Sequence, residues 1–518
     1  LNRKWPAEYW WPLALGILLL LAIAQSFWAL TVGFENPIMD EHSFRQTQTA
    51  LSAFFLAKGG SFFAYETPVL GYPWSIPFEL PVYQWLVAKL SLSAGIPLEA
   101  AGRFVGRFFF YLALVPLYSL FCHFKFAPVS RCLGLFLYLL SPLYLFWSRS
   151  ILIESCALFF SLSYAALFAR ALRSTSWRGW FLAAACGCLA GTTKSTTAFA
   201  FFLASGILFC VEQGRSLFSP AKWLDRRILA AVLLGFALPA VVTILWLKFS
   251  DAQKALNPLA SFILSGNLTQ WNFGTWQQRI SGDLWYMFFR KTIHSSIGHR
   301  TTWLVSLVLL WFLPRRHFWI YIATSLLFLV PPLVFTNLHI AHTYYWYANG
   351  IFLLVAMVAL VDGLWERAAT SRAMLGAFFA FVILMSGLEL RQFHTFELTW
   401  QRQLNDGPFQ TGKFVQTITA ESDVLFIPGY GWHPAFAFFS RRRAIMDPES
   451  YGLDDPRIRE AIRRTEANGF RVALLMMCLD FKNRPELMNR AHAMLDLEPE
   501  NIGQGTLCDM YRIRGFRQ

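Results

Sequence analysis

The feature that most restricts how this chain can fold is a series of apolar runs, each near the length needed to cross a bilayer. They cover 10–30, 102–122, 130–148, 151–169, 179–193, 196–211, 228–248, 299–313, 318–335, 347–363 and 373–390. A helical span needs ~20 apolar residues, because it rises about 1.5 Å per residue through roughly 30 Å of hydrocarbon. Several runs fall short of that, and 299–313 is the weakest of them as a span. The reading is an α-helical polytopic membrane protein with about 11 transmembrane helices. Composition agrees: 56% of residues are hydrophobic and 15% charged, where a soluble chain carries about a quarter charged.

A net charge of +14 raises the question of nucleic acid, but the basic residues sit mostly in short gaps between apolar runs. That placement is an orientation signal, so no nucleic-acid partner is expected. With the N-terminus inside, the inward gaps hold Arg3 and Lys4; Lys125 and Arg131; Arg170, Arg173 and Arg178; Arg215, Lys222, Arg226 and Arg227; Arg315 and Arg316; Arg367 and Arg372. The short outward turns hold only Arg149 and Lys194. The bias puts 31–101, 249–298 and everything after 390 outside the cytoplasm. The first run is long enough to span by itself, and no cleavable signal peptide is expected.

Two domains are expected: 1–390 as the membrane domain, and 391–518 as a small C-terminal α/β domain. In the outer loop 31–101, residues 43–58 and 79–93 read as amphipathic surface helices, the second with Leu80, Tyr83, Leu86, Val87 and Leu90 on its apolar face. Strands are expected at 423–427, 471–477 and 507–513, with a helix at 456–468. Cys478 and Cys508 are the two cysteines of the polar tail, and the topology puts them in an oxidising compartment, so a disulfide between them is predicted.

Four polar features stand out of this apolar background. The stretch Glu35 to Thr49 packs Asp40, Glu41, His42 and Arg45 into six residues. On a helix, Glu41, Arg45 and Gln48 would share one face, and Asp40 would cap the helix start. A solvated helix end is the plain alternative. The turn from Arg149 to Glu154 sets a guanidinium and a carboxylate between two spans, as a paired closure or as a site. In Gly191-Thr192-Thr193-Lys194-Ser195-Thr196-Thr197 an ammonium stands among hydroxyls, which suits a phosphate, though an interfacial lysine is equally ordinary. In the last, Asn337 to Tyr345, His339 and His342 sit at metal-ligand spacing without a carboxylate nearby, and donors to sugar or phosphate fit better. The topology opens all four on one membrane face.

These residues carry a family resemblance. Asp40-Glu41 after the first span resembles the acidic motif in the first outer loop of the C-type (GT-C) membrane glycosyltransferases. More narrowly, the chain is similar to bacterial relatives of the protein O-mannosyltransferases and of the lipid A aminoarabinose transferase. Glu79-Leu80-Pro81-Val82-Tyr83-Gln84-Trp85-Leu86 resembles the family's proline-tyrosine surface helix, with Val82 where a second proline is usual. Arg149–Glu154 and Gly191–Lys194 resemble its arginine-to-glutamate and glycine-threonine-lysine turns.

The resemblance implies transfer of a monosaccharide from a polyprenyl-phosphate donor to a glycan, lipid or protein hydroxyl on the outer face of the bacterial cytoplasmic membrane. Asp40 and Glu41 are then the catalytic candidates. Lys194, Arg149, Tyr345 and His342 are candidates for the donor phosphate, and Arg45, His42, Gln48 and Glu154 for positioning the substrates. Tyr430, Trp432 and His433 are acceptor-side candidates, because aromatics stack on sugar rings; they could equally form a core turn. No metal ligand set is assigned and no cofactor is required, a divalent metal being compatible with the chemistry. The competing readings are a lipid-linked glycan flippase or transporter, an O-antigen ligase type enzyme, and a non-enzymatic assembly protein. Absence of internal repeats and of paired Gly/Pro helix breaks weighs against the transporter.

Overall fold

The computed structural model describes residues 10–38, 40–174, 176–214, 225–403, 406–448, 453–479, 482 and 484–517. Arg3, Lys4, Arg215 and Lys222 of the orientation pattern lie outside the described residues. Two compact units emerge. One draws on Leu1–Phe34, Gly106–Ile244 and Gln270–Arg402, the other on Glu35–Val105, Leu245–Thr269 and Gln403–Gln518.

Among the described residues, 8 helices are long and apolar enough to cross a membrane, or 9 if the bent pair Pro128–Leu140 and Pro142–Ser148 is one span. The chain is a multi-pass membrane protein. The runs 179–193 and 196–211 belong to one helical stretch, Trp177–Gln213, interrupted by Lys194 at φ −160° and ψ 92°. Gly187 before the break and Phe202 after it both pack on the Tyr164 ring. The chain therefore reverses at Lys194, and two antiparallel arms lie against Glu154–Leu172. The 299–313 run forms only a short apolar helix, Arg300–Phe312; at about 1.5 Å per residue it is too short to span alone.

Thr343–Ala368 is the axis of the membrane unit, its apolar window 94% buried. A helix apolar all round belongs in the interior. Tyr138 stacks on Phe110 at 5.0 Å, Tyr144 meets Tyr138 at 4.5 Å, and Tyr347 meets Tyr144 at 5.0 Å. Aromatic packing of this kind replaces the hydrophobic drive that lipid does not supply. At the end expected to face the cytoplasm, Asp362 accepts from Ala127 N at 2.7 Å and lies 2.8 Å from His317 Nε2.

The second unit is built on a five-stranded sheet. Its strands are β1 (Val424–Ile427), β2 (Arg443–Met446), β3 (Val472–Cys478), β4 (Leu495–Leu497) and β5 (Cys508–Phe516), in the order β2-β1-β3-β5-β4. The inner parallel strands β1 and β3 are buried at every residue, as strands covered on both faces are. Cys478 and Cys508 face each other across β3 and β5 and form the predicted disulfide. The outer edge of β2 is covered by the first outer loop. Ala444 N donates to Pro68 O and Met446 N to Val69 O, both at 2.9 Å, and Gly71 N to Ala444 O at 3.1 Å. Covering an edge this way satisfies backbone groups that would otherwise invite another chain.

Candidate functional site

In the membrane unit, three of the outward turns come together around Lys194. Its ammonium lies 2.5 Å from Glu154 Oε1, and both side chains are more than nine-tenths buried. Glu154 is the first residue of Glu154–Leu172, a place where the helix dipole favours a carboxylate. The third turn supplies two rings: Lys194 Nζ lies 3.8 Å from the Tyr345 centroid and 5.0 Å from that of Tyr344. A cation over aromatic faces is held electrostatically while staying dry. Gly191 explains how the hairpin fits, since a Cβ there would stand 2.1 Å from Thr243 Oγ1. Thr192 spends its hydroxyl on Cys188 O at 2.7 Å, so this part of the hydroxyl-rich turn serves the helix itself.

The two histidines of the third turn differ. His339 is buried, its Nδ1 2.8 Å from Phe335 O and its Nε2 2.8 Å from Asn349 Nδ2. That geometry fixes a neutral ring with the proton on Nδ1, and burial with Lys194 nearby pushes its pKa down to about 3. His342 is only half-buried, stacked 5.2 Å from Tyr344 and 5.9 Å from Tyr345. Arg149 is buried, its guanidinium 5.4 Å from the Phe146 centroid.

The acidic stretch belongs to the other unit and differs from its expected local form. Ser43–Ala57 begins after His42, which takes the left-handed conformation at φ 56° and makes no side-chain cap. Asp40 does not cap the helix; its Oδ1 accepts from Gln46 Nε2 at 2.5 Å, and the same amide donates to Glu41 O at 2.9 Å. Glu41 lies before the helix, 3.8 Å from His42 Nε2, so the expected shared face of Glu41, Arg45 and Gln48 is not formed. The reason is the left-handed turn at His42, which leaves Glu41 ahead of the helix. Arg45 joins Gln48 and donates to Glu79 Oε2 at 2.6 Å, and Gln84 Nε2 holds the other Glu79 oxygen at 2.6 Å. Both helices of the outer loop form, as Ser43–Ala57 and Val82–Ala94, with Tyr83 and Val87 packed inside the protein.

The three acceptor-side candidates follow β1. Trp432 meets Phe44 at 4.9 Å, Phe262 at 5.5 Å and Phe78 at 5.9 Å, and His433 meets Phe44 at 5.1 Å. Tyr430 packs on His433 and Phe436, each at 5.1 Å. These rings hold one another, so the turn is built as a knot that fixes Phe44, four residues past Asp40. Burial pushes His433 down to about 4 and Tyr430 up to about 12.

Sequence reading missed several residues here. Glu79 was seen only as the start of a motif, although a carboxylate beside apolar residues signals a buried partner. Asp447, just past β2, accepts from Gly429 N at 2.5 Å, and burial raises its pKa to about 7. Asn349 and Tyr344 lie inside or beside apolar runs, where no local pattern marks them. Among the described residues no three His, Cys, Asp or Glu side chains form a group able to hold a metal.

No protein-family model matches the sequence, and no curated protein matches it. Solved structures do match in fold. ArnT from Cupriavidus metallidurans bound to undecaprenyl phosphate superimposes with a TM-score of 0.61 at 11% identity, over 95% of this chain and 97% of that one. The Archaeoglobus fulgidus oligosaccharyltransferase, in complex with Zn and sulfate, gives 0.55 at 10% identity, over 93% and 71%. The arabinofuranosyltransferase AftD from Mycobacteria gives 0.53 at 13% identity over 97% of this chain, which spans 40% of that larger protein. The fold is that of the GT-C membrane glycosyltransferases, as the sequence motifs implied.

Proposed function

We propose that this protein transfers a monosaccharide from a polyprenyl-phosphate donor to an acceptor hydroxyl on the outer face of a bacterial cytoplasmic membrane. The observation that carries the reading is the buried Lys194, held by Glu154 and the rings of Tyr344 and Tyr345 at the break between two helices. An ammonium kept dry and in place is positioned to bind phosphate without reorganising.

In this reading Lys194 and Arg149 hold the donor phosphate, with Tyr345 and His342 beside it. Asp40 accepts the acceptor's hydroxyl proton, the oxygen attacks the sugar C1, and the C1–O bond breaks with its electrons going to the lipid phosphate. Fixed cations stabilise the charge that gathers on that leaving group. Gln46 orients Asp40; Glu41 and His42 position a substrate; Arg45, Gln48 and Glu79 fix the helix that follows. Glu154 sets the ammonium of Lys194. The tail selects the acceptor through Tyr430, Trp432 and His433, a role supported by their contact with Phe44. Purified protein is expected to bind undecaprenyl phosphate, and to do so far more weakly as Lys194→Met. Equal binding by the two proteins makes Lys194 a plain interfacial anchor.

A further inference from the structure

The end of the membrane unit opposite Lys194 holds a cavity that the proposed transfer does not use. Trp177 starts the helical arm that ends at Lys194. At ~1.5 Å per residue that arm is about 25 Å long, close to the thickness of a bilayer core. Where it starts, beside the beginning of the span Arg226–Lys254, lies a cavity of about 220 Å³ lined by Trp177, Trp180, Asp225, Arg226 and Arg227. Sites for drug-sized ligands begin near ~300 Å³, so this one suits a molecule the size of a lipid headgroup. Its lining carries two guanidiniums against one carboxylate. The Arg226 guanidinium carbon lies 5.5 Å from the Trp177 ring centroid, a contact that orients the cation without neutralising it. Asp225 Oδ1 accepts from Arg227 N at 2.8 Å, and among the described residues neither guanidinium is ion-paired.

Trp180 adds a buried donor. Only 3% of it is exposed, and its indole N–H has no acceptor among the described residues, although a buried indole usually finds one. The ring is fixed edge-on to Phe168 at 5.4 Å, and a Cβ on Gly235 would stand 3.6 Å from Trp180 Cζ3. Cζ3 lies across the indole from Nε1, so the N–H edge is the one left for the cavity. One turn further along the two helices, Phe181 and Leu229 share the faces of Trp177 and Arg226 and are exposed. Apolar surface that runs on from a basic, Trp-lined cavity at a membrane end is where a lipid lies, with its headgroup in the cavity. We propose that this cavity binds the phosphate of an anionic phospholipid, with Arg226 and Arg227 on its oxygens, Trp180 Nε1 donating to one of them, and the acyl chains along Phe181 and Leu229. A guanidinium's planar fork matches two phosphate oxygens, and a lipid of net charge −1 balances the excess cation that a zwitterionic lipid would leave. The site lies a membrane's width from Lys194, so it stands or falls independently of the proposed transfer.

The test is retention of phosphatidylglycerol by the purified full chain, titrated in detergent micelles with excess phosphatidylcholine and read by native mass spectrometry. Wild type is expected to keep one phosphatidylglycerol. The double variant Arg226→Gln with Arg227→Gln should hold it at least about tenfold more weakly, having lost two charge-assisted contacts. Trp180→Phe keeps a ring and removes the donor, and should hold it severalfold more weakly. Arg367→Gln removes an exposed cation near the far end of Thr343–Ala368, outside the cavity, and should behave as wild type. Arg226 and Arg227 are exposed, so the double variant should fold, and it decides alone if Trp180→Phe does not. Retention of phosphatidylcholine equal to that of phosphatidylglycerol overturns the site, as does a loss in Arg367→Gln equal to that in the double variant, which would make the attraction one of general surface charge. Displacement of the bound lipid by sn-glycerol 3-phosphate at matched concentration overturns it too, in favour of a soluble phosphate ester.

Discussion

Lys194 and Glu154 form a 2.5 Å ion pair with both side chains more than nine-tenths buried. The pair joins a helix start to the reversal of the next hairpin, so it serves both packing and, in the proposed reading, the donor phosphate. Removing one partner of such a pair leaves the other charge buried alone, which costs about 3–5 kcal/mol.

Lys194→Met should therefore lower thermal stability and weaken undecaprenyl phosphate binding, and the two effects can be separated. Adding Glu154→Gln removes the stranded carboxylate, so the double variant should regain most of its melting temperature. Its lipid binding should stay at least about tenfold below wild type, because the cation is still missing. Recovery of binding along with stability would count against a phosphate role.

Asp40→Asn is expected to abolish sugar transfer while donor binding survives, since the amide cannot take the acceptor's proton. Glu41→Gln should be impaired to a lesser degree. Transfer of labelled sugar, measured beside lipid binding on the same preparations, checks both. Full activity in Asp40→Asn sinks the assignment.

The tail's pH dependence follows from two buried groups of opposite sign. Asp447 has its pKa raised to about 7 by burial, so its contribution to stability is present below about pH 4 and is lost as pH rises to 7. His433 is held down at about 4, so its contribution is present above about pH 6.5 and is lost as pH falls to 4. Asp447→Asn keeps an acceptor for Gly429 N and removes the loss on the alkaline side. It should melt a few degrees higher than wild type at pH 8 and no higher at pH 4. Scanning calorimetry across that range reads the crossover.

Replacing Cys478 and Cys508 together by serine should cost the second unit about 3–4 kcal/mol, the chain-entropy value for a loop of this size. The cysteines are 30 residues apart and face each other on neighbouring strands. Mass spectrometry of an unreduced digest should recover the two peptides joined; free thiols at both positions exclude the bond.

The apolar runs, the break at Lys194, the buried strands β1 and β3 and the cysteine pair were all legible in the sequence. Each is written in local terms: a run of apolar residues has few ways to satisfy its backbone in lipid, and a lone polar turn between two such runs must face an end. The proximity of Lys194 to Tyr345 was foreseen only as two turns on one face. The rest was decided by tertiary contact. His42 adopts a left-handed turn that leaves Glu41 ahead of the helix, with Gln46 bonded back to Asp40, and no residue pattern announces it. The strand β4 is too short to show a period, and β2 gains its outer partner from the loop residues Pro68 and Val69, far earlier in the chain. Asp447 looked ordinary because a charge's role depends on what the fold brings against it, and the sequence lists neighbours along the chain alone.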